Sequence, residues 1–73
     1  MKTLQDITPG KQAVIVQIHC SGGMRRRLLD IGLTPGAKTE CVGVSPCGDP
    51  KAYLVRGAVI ALRSEDAAQV EIA

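Results

Sequence analysis

At 73 residues the chain is long enough for one domain spanning 1–73, and a domain of this size hides only about 60% of the surface its unfolded chain exposes, so its core is small. Hydrophobic residues make up 45% of it, yet Tyr53 is its sole aromatic residue, so aliphatic side chains must fill the interior. The net charge of +2 falls short of a strongly basic domain and does not by itself demand nucleic acid, while the longest apolar run, Ala58 to Leu62, is far too short to cross a bilayer.

At the start of the chain, Met1-Lys2-Thr3 is not followed by an apolar signal stretch, and Thr3 to Asp6 has the makings of a single capped turn. Cys20, Cys41 and Cys47 form an odd set without the paired spacing of a disulfide framework, which suits a reducing compartment. A cytoplasmic location is therefore expected. Thr8-Pro9-Gly10 and Thr34-Pro35-Gly36 each place Pro and Gly where a type II turn wants them, and each precedes a β-rich run. The first run, Gln12 to Ile18, alternates so that Val14, Val16 and Ile18 share a face.

Residues 22 to 36 then read Gly-Gly-Met-Arg-Arg-Arg-Leu-Leu-Asp-Ile-Gly-Leu-Thr-Pro-Gly. Met24, Leu28 and Leu29 recur at helical spacing and Ile31 continues the stripe, so one face of a short helix must bury. Gly32 suits the left-handed residue that ends a helix, which makes Leu28 and Leu33 the pair expected to meet across the cap, and Pro35 forbids continuation before Gly36. Arg25, Arg26 and Arg27 occupy the first turn, where cations are mildly unfavourable; either they wait for an anionic partner or their stems simply cover apolar surface.

Lys38 to Val44 sets Glu40, Val42 and Val44 against Thr39, Cys41 and Gly43. Ser45-Pro46-Cys47-Gly48-Asp49-Pro50 cannot sit in a central strand and reads as a loop, a candidate for recognition. Ala52 to Arg56 and Ala58 to Arg63 flank Gly57 as a tight hairpin, although Arg-Gly is a weaker turn signal than Asn-Gly. Ser64 is placed to cap a turn over Glu65, Asp66 and Ala67 before Gln69 to Ile72 returns as a closing strand. The expected fold is mainly β: a small, partly closed barrel of about five strands with one short inserted helix, with a five-stranded oligonucleotide-binding barrel as the alternative.

Three blocks carry a resemblance over nearly the whole chain, Leu4 to Ile72: Arg27-Leu28-Leu29-Asp30-Ile31-Gly32-Leu33-Thr34-Pro35-Gly36, then Pro46-Cys47-Gly48-Asp49-Pro50, then Gly57 with Ile60-Ala61-Leu62-Arg63 and Ala67. In this order and spacing they resemble the FeoA family. The resemblance implies an SH3-like barrel in a small bacterial cytosolic protein that assists FeoB, a membrane permease with a GTP-binding domain, in ferrous iron uptake. It also implies the alternative of an SH3-like regulatory module related to the C-terminal domain of iron- and manganese-dependent repressors.

On that footing Leu28, Gly32, Leu33, Pro35 and Gly36 are expected to be structural, and Met24, Arg25, Arg26, Leu29, Gly48 and Asp49 to face a FeoB-like transporter. Arg25→Ala should then leave folding nearly unchanged. Stimulation of FeoB GTP hydrolysis by one of the arginines is an alternative role. His19, Cys20, Cys41 and Cys47 are the right ligand types for a transition metal, but His19 and Cys20 are adjacent and would point to opposite faces of a strand, no CxxC occurs, and a Pro-containing loop separates Cys41 from Cys47. No metal or other cofactor is therefore expected. Neither catalysis nor nucleic-acid binding is expected either: there is no nucleophile–base pairing or phosphate-binding glycine loop, and Tyr53 alone is a poor stacking platform.

Overall fold

Pro and Gly set where the chain reverses. The computed structural model describes residues 2–73, and its elements run from a 3-10 turn, Leu4–Asp6, through β1 (Gln12–Ile18), α1 (Gly22–Ile31), β2 (Lys38–Val44), β3 (Lys51–Val55), β4 (Ala58–Leu62) and α2 (Ser64–Ala67) to β5 (Val70–Ile72). Both Thr-Pro-Gly segments are type II turns: Lys11 N–H donates to Thr8 O at 3.0 Å and Ala37 N–H to Thr34 O at 2.9 Å, with φ of 92° at Gly10 and 89° at Gly36. Each turn also docks sideways, Gly10 N–H onto Cys41 O and Gly36 N–H onto Ile15 O, both at 2.7 Å, so the punctuation marks tie β1 and β2 together.

The strands make one antiparallel sheet in the order β4-β3-β2-β1-β5, strongly curled and open between its end strands. Thr39, Cys41, Tyr53, Val55, Leu62, Val70 and Ile72 are buried on its inner face, where α1 contributes Leu28 and the following turn Leu33. β2 matches the exposure expected of it, with Thr39 and Cys41 buried and Val42 and Val44 exposed, even though its register against β3 shifts between Cys41 and Gly43.

β1 does not. Ala13, Ile15 and Ile18 are buried while Val14 and Val16 are exposed, because the register against β5 shifts between Ile15 and Gln17. The extra residue of that bulge resets the alternation, so Ile18 joins the face of Ile15 instead of that of Val16. A uniform period of two placed Val14 and Val16 with Ile18; a pairing partner remote in sequence separates them.

Around the sheet, short segments are held by side chains. Thr3 N–H donates to the Asp6 carboxylate at 2.9 Å, which closes the expected cap on the 3-10 turn. The Tyr53 hydroxyl, fully buried, donates to Leu4 O at 3.0 Å, and Lys51 Nζ donates to Gln5 O and Ile7 O at 2.8 and 3.1 Å. In the 45–50 loop, Gly48 N–H donates to Ser45 O at 2.8 Å, the Ser45 hydroxyl donates to Asp49 O at 2.7 Å, and the Asp49-Pro50 peptide is cis. α2 starts one residue earlier than expected: Arg63 rather than Ser64 is the N-cap, and the donor at Ser64 N–H is met by Asp49 Oδ1 at 2.7 Å.

Candidate partner-binding surface

Among the described residues α1 is the one helix of more than a single turn, and its C-terminal end is set by identifiable contacts. At its C-terminus Gly32 has φ 116°, Leu33 N–H donates to Leu28 O and Gly32 N–H to Leu29 O, both at 3.0 Å: the full Schellman pattern. Leu28 and Leu33 are 1% and 0% exposed, so the cap and its hydrophobic pair anchor the helix to the barrel as the spacing predicts. No basic residue lies in the last turn of α1 itself. Arg56 from the β3–β4 turn supplies the cation instead, laying its stem over Gly32 and donating to Thr34 Oγ1 at 3.3 Å.

At the N-terminus Ser21 is extended but makes no side-chain cap bond, and the first turn carries no acid. Because α1 begins at Gly22, only Arg25 falls in the first turn expected to hold all three arginines; Arg25, Arg26 and Arg27 are exposed, and among the described residues no carboxylate lies within ion-pairing distance of any of them. They are not equivalent. Arg25 Nη1 donates to Ile18 O at 3.0 Å, stitching α1 to the end of β1, a contact that the expectation of Arg25 as dispensable to folding did not include. Sequence spacing gave no hint of that bond because its acceptor is a backbone carbonyl of another element.

Two concavities flank α1. A shallow one of about 320 Å³ is lined by Gly22, Arg25, Arg26, Leu29 and Asp30. A deeper cleft of about 420 Å³ separates α1 from β4 and α2; Met24, Leu28, Ile31, Ile60 and Leu62 form its apolar part, with Arg27, Arg63 and Asp66 as its charges. Of the expected partner-facing residues, Arg25, Arg26 and Leu29 thus meet in the first, while Met24 belongs to the second. Gly48 and Asp49 line neither: Gly48 is exposed in its turn, and the Asp49 carboxylate is bound to the start of α2. Arg27, Ile60 and Arg63 were not singled out from the sequence as contact residues, since only the fold lays β4 beside α1.

The metal-ligand types are dispersed. His19 Nε2 lies 2.7 Å from Glu71 Oε1, Cys20 is half-buried against the core, Cys41 is fully buried with its thiol directed to Gly43 O at 3.7 Å, and Cys47 is exposed on the loop. Among the described residues no three His, Cys, Asp or Glu side chains converge as a metal site.

The FeoA domain family model matches residues 2–73. The chain belongs to the FeoA family. It is 36% identical over 69 residues to the Fe(2+) transport protein A/Fe(2+) transporter FeoB fusion protein of Porphyromonas gingivalis, a match that covers 94% of this chain and 8% of that protein. The solution structure of iron(II) transport protein A from Clostridium thermocellum superposes with a TM-score of 0.90 at 33% identity, over 96% of this chain and 43% of that one. Stenotrophomonas maltophilia FeoA complexed with zinc, described as a procaryotic SH3 domain protein, gives 0.88 at 26% identity, over 100% and 91%. The FeoA fold here is therefore SH3-like. The likeness to ScaR with bound Cd2+, at 19% identity, is one of fold alone. Membership in the FeoA family supports a role in ferrous iron transport, and no helix among the described residues is long and apolar enough to cross a membrane.

Proposed function

We propose that this FeoA protein is an accessory adaptor for a FeoB-like ferrous iron transporter, acting by protein–protein contact on the cytoplasmic side rather than by chemistry of its own. The observation that carries the reading is the Porphyromonas gingivalis relative, in which a FeoA part and a FeoB part share one polypeptide. Covalent linkage keeps two modules at high effective concentration, and selection for such linkage is expected when the modules touch.

The surface best suited to that contact is the exposed flank of α1. Leu28 and Leu33 hold the helix rigidly on the barrel. Outward from them, Leu29 offers partly buried apolar surface beside the guanidinium of Arg26, which is exposed and without a carboxylate partner among the described residues. Rigid apolar area ringed by unpaired arginine is the composition that interfaces favour, because arginine binds carboxylates in a fork and gives up little hydration to do so. Arg25 serves the same surface while holding α1 to β1.

Capture of the full-length transporter from solubilised membranes tests this. Wild-type protein is expected to retain it, and Arg26→Glu to lose at least tenfold in capture with a melting temperature close to wild type. Equal capture by wild type and variant would sink the α1 contact. A change in the transporter's GTP hydrolysis rate on adding the protein would assign it an activating role beyond assembly.

A further inference from the structure

The two edges of the sheet are finished differently. Along β5, Thr3 bridges Glu71 and Ile72 N–H donates to Lys2 O at 2.9 Å, so the N-terminal residues cover that edge. β4, at the other end of the strand order, has no such cover among the described residues. Arg56 and Gly57, with φ of 49° and 82°, form the type I′ turn that sets Val55 opposite Ala58. Alternation then makes Val55–Ala58, Tyr53–Ile60 and Lys51–Leu62 the hydrogen-bonded pairs. The N–H and C=O groups of Val59 and Ala61 consequently point away from β3 along the open edge.

Soluble proteins blunt such edges with lysine, proline, a bulge or an inward charge. β4 reads Ala-Val-Ile-Ala-Leu, pairs with β3 without a register shift, and leaves Val59 64% exposed. The apolar cleft toward α1 runs beside this edge, and two guanidiniums, Arg27 and Arg63, stand over it without an ion pair among the described residues, against the single carboxylate of Asp66.

We infer that the β4 edge accepts an extended segment of the transporter as an added strand, with one apolar side chain seated in the cleft beside Met24 and Ile31 and flanking carboxylates on Arg27 and Arg63. The inference rests on the transporter being the partner. Strand addition supplies main-chain hydrogen bonds at Val59 and Ala61, and alternate side chains of the incoming segment reach the cleft. Two β4 edges could also pair with each other about Ile60, but that brings two copies of a chain of net charge +2 together with their basic clefts side by side, whereas an acidic segment complements them.

Proline at position 61 removes an N–H that β3 does not use, and edge positions of this kind tolerate it. Ala61→Pro is expected to melt near wild type and to retain at most a tenth of the captured full-length transporter; Arg27→Glu with Arg63→Glu is expected to lose capture similarly. In the wild-type complex, amide exchange at Val59 and Ala61 is expected to slow at least tenfold, a readout that decides the matter even if the proline variant fails to fold. Undiminished capture by Ala61→Pro with unchanged exchange at those amides overturns strand addition and leaves the α1 contact standing. Failure of the wild-type chain to capture the transporter overturns both. A concentration-dependent dimer in which the same amides are protected gives the edge to a second copy and overturns the assignment to the transporter.

Discussion

Gly32 shows how much can depend on one backbone angle. A side chain there would be strained at φ 116°, and its Cβ would lie 2.8 Å from Arg56 Cδ. Gly32→Ala is therefore expected to cost more than about 1 kcal/mol, measured by denaturant unfolding. Adding Arg56→Ala should return only the steric share, because the angle remains left-handed; full recovery would show that the angle is not strained. The arginines of α1 separate at this scale as well. Arg25→Ala should lower stability by about 1 kcal/mol through the orphaned Ile18 carbonyl, whereas Arg26→Ala should leave it within about 0.5 kcal/mol. Equal melting temperatures for the two variants would contradict the bond to β1.

At the scale of elements, α1 is held by packing more than by propensity, since it has two glycines at its start, no N-cap bond and no acid in its first turn. Leu28→Ala should cost about 2–5 kcal/mol, a large part of the stability available to so small a domain, and should lower the melting temperature sharply. α2 is shorter still and takes its cap from another element. Asp49→Ala should cost about 1 kcal/mol and speed amide exchange at Ser64 while leaving the Schellman bonds of α1 intact. A carboxylate expected to meet a partner is thus a brace between the 45–50 loop and α2.

For the molecule as a whole, the open curled sheet makes one residue central. Tyr53 lies fully buried on β3, yet its hydroxyl reaches the N-terminal turn, and burial pushes its pKa from 10.0 up to about 12, with the thiol of Cys41 and the carboxylate of Asp49 adding to the effect. The folded state holds this proton more tightly than the unfolded state, so the linked stability is complete below about pH 10 and is lost as pH rises toward 12. The loss should amount to about 2–3 kcal/mol at the alkaline limit, and Tyr53→Phe should remove this component of the pH dependence while costing about 1–2 kcal/mol at neutral pH for the unmet Leu4 carbonyl. Denaturation midpoints across that range check both, and phenolate absorbance reports the titration directly because no other aromatic residue is present.

By itself the sequence determined the two type II turns, the Schellman termination of α1, the β3–β4 hairpin and the family, because each rests on residues a few positions apart or on motifs in fixed order. Only the tertiary structure decided that β1 bulges and turns Val14 and Val16 outward, that Arg25 and Asp49 bind backbone groups of other elements, and that β4 keeps an open edge beside an arginine-rimmed cleft. These depend on which backbone groups remain unpaired after strands distant in the chain have met, and no local pattern of side chains encodes that.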